Sequence, residues 1–216
     1  EMRDCLFPTI DPENPYQLTE EEEEIVQKLH KSFTGSEKLR KHMKCIFRYG
    51  CMYNVCNSNL LFHASMPMNA DGTLKEVDIL GKKYKGEALL KRVGQLIRTA
   101  YFAEEDNPEK AFARDFIWYL WCGKNSPAFN KSKMATFERY FLTDKETHKE
   151  VKGYYYTLRD REDICDMILD EFGVEGEHRH IINGHVPVKA VKGEKPIKAN
   201  GKLMVIDGGF SKAYQT

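Results

Sequence analysis

The chain has 216 residues, with 33 Lys and Arg against 33 Asp and Glu, and 41% of its residues are apolar. This composition is that of an ordinary globular protein, long enough for one large domain or for a domain with a subdomain. The net charge is zero with His neutral, so the chain lacks the excess of Lys and Arg on which non-specific binding to nucleic acids or anionic membranes depends. We therefore expect neither nucleic acid nor a membrane as a partner.

The sequence also gives no sign of membrane insertion or secretion. No stretch approaches the ~20 consecutive apolar residues of a membrane-spanning helix, and the first residues lack the basic-then-apolar pattern of a signal peptide. The six cysteines have no CxxC spacing and no rhythm of a disulfide framework. We expect reduced thiols and a cytoplasmic protein.

The first predicted helix begins after Thr19, which forms a capping box with Glu22. Its apolar stripe contains Ile25, Val26, Leu29 and Phe33. The acidic run 20–24 complements the helix dipole. We interpret this run as a solvated first turn rather than a metal-binding cluster, because consecutive helical residues point in different directions.

Four further helices are predicted from apolar spacing. They are one through Leu39, Met43, Ile46 and Phe47 to Gly50, one over 87–101, one starting at 107–108, and one from a cap at Asp160 to Gly173. The helix over 87–101 is expected to turn its apolar residues inward. Trp118, Tyr119 and Trp121 are interpreted as core residues rather than as a stacking platform for a base or sugar.

Three short apolar runs each stop at a polar residue that can bind a metal. They are 60–62 before His63, 181–184 before His185, and 203–206 before Asp207. Such runs are typical of strands buried on both faces of an α/β sheet, and ligands bind beyond the carboxyl ends of these strands. We therefore expect His63, His185 and Asp207 to converge.

Of the two histidines, His185 is the better candidate for a metal ligand. A histidine at a strand end offers a neutral imidazole nitrogen on a rigid support. Gly184 clears space before His185, and Pro187 stiffens the turn after it. For His63, a structural or solvent-facing role stays open. The pair at 178 and 180 is interpreted as ordinary polar histidines.

Residues 185–216 carry a surplus of positive charge, with six lysines against the carboxylates of Glu194 and Asp207. Beside the glycine pair at 208–209, this surplus could receive a phosphorylated small molecule. A solvated lysine-rich hairpin explains the same charges equally well.

Long stretches of the sequence match one specific family. The matching segments are 59–63 (NLLFH), 121–127 (WCGKNSP), 183–189 (NGHVPVK), 193–194 (GE), 196–202 (PIKANGK) and 205–215 (VIDGGFSKAYQ). They closely resemble the class III fructose-1,6-bisphosphatases of Firmicutes and related bacteria. The resemblance covers nearly the whole chain.

The resemblance implies a fold. That family is similar to the calcineurin-like metallophosphoesterases, so we expect an α/β chain that forms part of an α/β/β/α sandwich with a largely helical insertion at about 86–173. Residues 1–55 are then a connector and a helical pair. Residues 56–216 are a partial metallophosphoesterase domain.

The resemblance also implies a metal centre with His63 and His185 as ligands. Manganese is the implied metal, with two ions in the full-length enzyme, where a metal-activated water would release phosphate from fructose 1,6-bisphosphate in gluconeogenesis. The lysine-rich tail would help to hold the other phosphate. Further substrate contacts are assigned from side-chain chemistry to Lys124, Ser126, Arg139, Asp207 and Lys212.

The chain also departs from the superfamily pattern. An aspartate–x–histidine motif, a GDxxDRG-type motif and a GNHE-type motif, which supply the bridging carboxylate and the catalytic histidine, do not occur in it. We therefore expect an internal fragment of a longer enzyme, with no catalytic residue of its own and little activity alone.

Other interpretations stay open. A related metallophosphoesterase could act on another phosphorylated substrate, which a substrate panel would reveal. The helical regions 1–50 and 86–173 could instead form a non-catalytic interaction module. We expect a homo-oligomer, since a partial domain leaves strand edges to be covered.

Overall fold

The computed structural model describes residues 1–3, 6–189 and 193–207. Its helices are α1 (Glu20–Gly35), α2 (Glu37–Tyr49), α3 (Gly86–Phe102), α4 (Lys110–Cys122), α5 (Thr136–Phe141), α6 (Tyr155–Leu158) and α7 (Glu162–Glu171). Its strands are β1 (Tyr53–Cys56), β2 (Asn59–Phe62), β3 (Val77–Ile79), β4 (Lys82–Tyr84), β5 (His180–Asn183), β6 (Ile197–Lys198) and β7 (Leu203–Val205). The expected α/β class is confirmed as a mixed sheet with helices. Across these ranges, no helix is both long and apolar enough to cross a bilayer.

The chain divides into two compact units. The first comprises Glu1–Gly50 and Ala135–Lys149, and the second comprises Cys51–Met134 together with what is described from Glu150 onward. The first unit therefore holds α1, α2 and α5, and the second holds both sheets and the remaining helices. In the first unit, the amide of Arg3 donates to the carbonyl of Phe141 at 2.7 Å.

Helices α1 and α2 begin at side-chain caps. The Thr19 hydroxyl accepts from the Glu22 amide at 3.2 Å, and the Glu22 carboxylate accepts from the Thr19 amide at 2.9 Å. The predicted capping box is thus confirmed. Ser36 caps α2 by accepting from the amide of Leu39 at 3.2 Å. None of the residues in α1 or α2 is buried.

The second unit is built on a five-stranded sheet in the order β1-β2-β5-β7-β6. The three central strands β2, β5 and β7 run parallel, and the edge strands β1 and β6 run antiparallel to their neighbours. Asn57 and Ser58 both have positive φ, as a two-residue type I′ turn between β1 and β2 requires. Strands β3 and β4 form a separate hairpin.

Burial alternates along the central strands. Leu60, Ile181 and Leu203 are fully buried against the apolar side of α7. On the opposite face, Leu61 and Ile182 are half-buried, and Met204 is 42% exposed. The prediction of burial on both faces is therefore wrong for the described sheet, because helices cover only one face.

A second core lies between α3 and α4. The buried positions of α3 include Leu89, Leu90, Val93, Leu96 and Ala100, which confirms the inward face predicted for 87–101. All of them except Leu90 pack around Ala113, Phe116 and Leu120 of α4 and Ile79 of β3. Leu90 belongs instead to the core beside the five-stranded sheet.

The interpretation of both tryptophans as core residues is wrong. Trp118 and Trp121 are 65% and 61% exposed and pack edge-to-face on each other with centroids 5.5 Å apart. The inward face of α4 is set by Ala113, Phe116 and Leu120, and both indoles fall outside that stripe. Tyr119 is half-buried at the edge of the α3–α4 core.

Asp160 is not the cap of α7, contrary to the prediction. The N-cap residue is Arg161, which has no side-chain capping bond. The helical backbone angles of α6 continue through Arg159. The extended residue that precedes α7 is therefore Arg161, one position after the predicted Asp160. Asp160 instead pairs with Lys198 at 3.3 Å. The helix ends as predicted, with Gly173 in the left-handed conformation at φ +60°.

Candidate metal centre

The carboxyl ends of β2, β5 and β7 meet at one edge of the sheet. The parallel register aligns Leu61 with Ile182 and Ile182 with Met204, so the residues that follow these strands lie side by side. The Gly184 amide donates to the carbonyl of His63 at 2.9 Å. The register therefore carries His63, His185 and Asp207 to the same end of the sheet.

The two histidines face each other. Their ring centroids are 5.1 Å apart in an edge-to-face arrangement. His63 is exposed and His185 is half-buried. The Nε2 atom of His185 is buried and has no hydrogen-bond partner, which is unusual for a buried polar atom and leaves a ring nitrogen free to bind.

The backbone and charge state of His185 are both unusual. Its φ is +68°, a left-handed conformation that a β-carbon disfavours and that recurs at functional sites. Burial lowers the pKa of the His185 imidazole, and the nearby His63 and Lys131 lower it further against the opposing charge of Asp207. At neutral pH the ring is therefore neutral, the form in which imidazole binds metals.

Asp207 approaches the pair at Gly184. A β-carbon placed on Gly184 would lie 3.8 Å from Oδ2 of Asp207 and 3.7 Å from the carbonyl oxygen of His63. These are ordinary van der Waals distances. The protein atoms around Gly184 would therefore tolerate a β-carbon, and the space that Gly184 is expected to clear for a ligand stays a prediction.

Asn183 was not singled out by the sequence reasoning. Its side-chain amide is buried and donates from Nδ2 to the carbonyl of Ala64 at 3.0 Å and to the Tyr155 hydroxyl at 2.5 Å. Its Oδ1 is buried without a partner. The only sequence signal was its place between an apolar run and the Gly184-His185 pair. Its oxygen is a further acceptor beside the histidines.

These donors fit a divalent metal, but they do not complete a site. Two imidazoles and a carboxylate are ligands that zinc and manganese accept, and the orphaned His185 nitrogen supplies a free position. Within the described ranges, no group of three or more His, Cys, Asp or Glu side chains is close enough to hold an ion.

Of the predicted substrate contacts, Asp207 lies at this edge of the sheet, and Lys124 and Ser126 belong to the loop after α4. Lys124 is exposed on the loop after α4. Ser126 is fully buried, donating to the carbonyl of Leu120 at 2.5 Å and accepting from the amide of Ala128. Its hydroxyl is thus committed to the loop. The roles of Lys124 and Ser126 as substrate contacts stay predictions.

Two other predicted contacts belong to the first unit or lie outside the described residues. Arg139 belongs to α5 in the first compact unit, whereas His63 and His185 belong to the second. Lys212 lies outside the described residues. Their roles as substrate contacts also stay predictions.

Part of the lysine surplus is neutralised locally. Lys202 pairs with Asp166 at 2.8 Å, and Lys198 lies 3.3 Å from Glu194. These two lysines are therefore less available for a phosphate. Lys192 lies outside the described residues.

The fold and the facing histidines define a class of protein: an α/β protein with metal-competent side chains at the carboxyl ends of parallel strands. Comparison with known families gives a more specific result. The profile of the Firmicute fructose-1,6-bisphosphatase family matches residues 1–216. The chain belongs to this family.

Curated relatives agree with the family assignment. The chain is 71% identical over its whole length to the class 3 fructose-1,6-bisphosphatase of Phocaeicola vulgatus, and covers 32% of that protein. It is 66% identical over 99% of its length to that of Bacteroides fragilis, and 55% identical over 98% to that of Clostridium botulinum, again covering 32% of each. The chain thus spans about a third of the length of these relatives. No solved structure matches it.

Proposed function

We propose that this chain is part of a metal-dependent phosphatase that hydrolyses fructose 1,6-bisphosphate to fructose 6-phosphate and phosphate in the cytoplasm. The observation that carries the proposal is the pair His63 and His185, with ring centroids 5.1 Å apart at the strand ends, in a chain that belongs to the Firmicute fructose-1,6-bisphosphatase family. The names of the relatives supply the substrate.

In this proposal, His63 and His185 bind a divalent metal ion, and we propose that this ion is manganese. When bound, such an ion lowers the pKa of a water molecule and stabilises the charge that develops on the phosphate. The residues on either side of His185 are fixed by backbone hydrogen bonds, since the amides of Gly184 and Val186 donate to the carbonyls of His63 and Gly184. The imidazole also meets the Phe129 ring, whose centroid lies 5.9 Å away. Asp207 places a negative charge on the same side, which favours a cation.

We assign the remaining groups of the site to other parts of a longer enzyme, because the two histidines and Asp207 are too few for a closed site. The open face of the sheet, with Met204 42% and Ile206 45% exposed, is where the second layer of an α/β/β/α sandwich would pack. The chain alone should therefore show little turnover.

Metal binding by the chain itself provides the first test. Titration with Mn²⁺, followed by calorimetry or by water proton relaxation, should show weak binding, as an incomplete site allows, and His185→Ala should weaken it at least tenfold further, the usual scale for loss of a coordinating group. The matched control is His178→Ala, since His178 is exposed and outside the strands. Equal affinities in all three proteins would contradict the assignment.

Activity is tested in the longer enzyme. Phosphate release from fructose 1,6-bisphosphate with Mn²⁺ should be lost in His185→Ala and kept in His178→Ala. A panel of other phosphorylated sugars addresses the alternative of a related phosphatase with another substrate. Strong manganese-dependent turnover by a verified 216-residue preparation would contradict the need for further segments.

A further inference from the structure

A group of positive side chains lies beside the histidine pair and has no role in the proposal above. We define this basic cluster as Lys131, Lys152 and Arg159. Lys131 and Lys152 face each other across an antiparallel backbone bridge. Nζ of Lys152 and Cζ of Arg159 both lie over the ring of Tyr156, at 5.9 and 5.6 Å from its centroid. Three cations are thereby brought together.

The basic cluster is connected to His185 through the ring of Phe129. Nζ of Lys131 lies 5.3 Å from the centroid of this ring, and the ring in turn meets the imidazole of His185 edge-to-face at 5.9 Å. Phe129 is buried. The cations therefore lie next to the metal-competent end of the sheet, separated from His185 by one aromatic ring.

The charge of the basic cluster is only partly neutralised. Lys131 pairs with Glu150 at 3.1 Å. Arg159 is only 4% exposed, yet its nearest carboxylate oxygen, on Glu194, is 3.9 Å away and its Nη1 is buried with no hydrogen-bond partner. Among the described carboxylates, none pairs with Lys152. A buried guanidinium group with an unused donor is costly unless an acceptor arrives.

Two further observations favour an anion as the ligand of the basic cluster. Desolvation by neighbouring groups lowers the pKa of Lys152, and the positive charges of Arg159, Lys189 and Lys131 lower it further against the opposing charge of Glu194. The cations therefore repel one another, and an anion would relieve that repulsion. The side-chain amide of Asn130, which packs against Gly153, is buried and its Nδ2 has no hydrogen-bond partner. It adds a neutral donor beside the charges.

We propose that the basic cluster binds the phosphate group of the sugar bisphosphate that is not hydrolysed, while the histidine pair lies at the reacting one. This inference rests on the proposed function for its substrate. The planar guanidinium of Arg159 can donate two parallel hydrogen bonds to phosphate oxygens, and the two lysines supply charge. The ring of Phe129 lies between the basic cluster and His185. The two phosphate positions are therefore separated in the protein, just as the sugar separates the two phosphate groups of the ligand.

Binding of inorganic phosphate to the chain tests the site without any hydrolysis. Calorimetric titration should show phosphate binding that Arg159→Met and Lys152→Met each weaken about tenfold, the fold-change expected for one lost charge-assisted hydrogen bond. The matched controls are Arg161→Met and Lys149→Met, since both residues are exposed and pair with surface carboxylates. They should bind phosphate like the wild type.

Because Arg159 is buried, Arg159→Met could fail to fold. Circular dichroism of each variant shows whether it is folded. Lys152 is exposed, so Lys152→Met keeps the test decisive. No phosphate binding by the wild-type chain, or equal binding by wild type and Lys152→Met, would overturn the inference.

Kinetics in the longer enzyme separate the two phosphate positions. Lys152→Met should raise the KM for fructose 1,6-bisphosphate about tenfold and leave kcat/KM for fructose 1-phosphate unchanged, because the monophosphate has no group for the basic cluster. An equal loss with both substrates would place the cluster at the reacting phosphate and overturn the inference. Absence of hydrolysis by the wild-type enzyme would instead refute the proposed function, and phosphate titration of the chain would still decide the anion site.

Discussion

Helices α1 and α3 have the same kind of sequence pattern and very different surroundings. Both carry apolar residues at helical spacing. In α3 these side chains are buried in the core shared with α4. In α1 none is buried, and Ile25 and Phe33 are 57% and 66% exposed. Periodicity therefore predicts that a helix forms and which face is apolar, but not what covers that face.

The source of stability differs accordingly. Helix α1 depends on local interactions, above all the capping box of Thr19 and Glu22 and its acidic first turn. The sheet and α3 depend on burial. Local interactions contribute tenths to about 1 kcal/mol each, whereas a fully buried aliphatic side chain contributes several times more.

The largest expected effect tests this contrast with one type of substitution in the two settings. Ile181→Ala removes a fully buried side chain from β5 and should lower the free energy of unfolding by about 2–5 kcal/mol. Ile25→Ala, on the exposed stripe of α1, should change it by no more than about 0.5 kcal/mol. Urea unfolding followed by circular dichroism measures both. Similar losses would show that α1 depends on burial as the sheet does.

The capping box gives the next largest effect. Thr19→Ala removes the hydroxyl that accepts from the Glu22 amide and should destabilise α1 by about 1 kcal/mol. Amide hydrogen exchange should be faster in α1 and unchanged in β5. The control is Ser32→Ala, since that hydroxyl only donates back to the Lys28 carbonyl within the same helix and its loss should leave α1 exchange unchanged or slower.

The same cap should make α1 sensitive to acid. The hydrogen bond from the Thr19 amide, with a further one from Thr9, lowers the pKa of the Glu22 carboxyl below its usual range. Because the folded pKa is the lower one, the stabilisation is complete above the unfolded pKa of about 4.3 and is lost as the pH falls through the folded value. Helicity of α1, followed by NMR between pH 6 and 2, should show this loss. In Glu22→Gln this step should be absent, and its persistence would point to other carboxylates.

The smallest effect belongs to the ion pairs on the surface of α1. Lys28→Met removes a pair with Glu24 in which both side chains are more than 70% exposed, and the expected cost is about 0.3–0.5 kcal/mol at low salt. The loss should vanish in 1 M NaCl, where exposed charges are screened. A larger effect, or one that salt leaves unchanged, would mean that the pair is less solvated than the structure shows.

The sequence predicted the gathering of His63, His185 and Asp207 because parallel strands end at the same edge of a sheet. It could do so because each apolar run is short and continuous and ends at a polar residue. The open second face of β2 and β5 could not be predicted, since a half-buried Leu61 looks like a buried one in a sequence. The outward position of Trp118 could not be predicted either. Aromatic residues occur on both sides of α4, so the sequence does not show which of them face the core.

The basic cluster was missed for a different reason. Lys131 lies in a loop, Lys152 precedes the four-residue helix α6 and Arg159 follows it, so no periodic pattern marks them. The charge pattern of the sequence points instead to the lysines after His185, two of which pair with nearby carboxylates. A local charge count does not show which cations already have partners. That information exists only once distant segments are folded together.

The parallel pairing of β2 with β5 has a consequence for how the chain folds. Asn59 pairs with His180, so β2 and β5 can pair only after the long segment between them has brought the two strands together. Closing such a long loop is a slow step in folding. During synthesis at about 5–20 residues per second, β5 leaves the ribosome roughly 6–24 s after β2. Over that interval the β1–β2 hairpin has an unpaired strand edge, which is prone to aggregation. Slower translation between these strands would lengthen the exposure, so the yield of native protein should depend on the speed at which residues 63–179 are made.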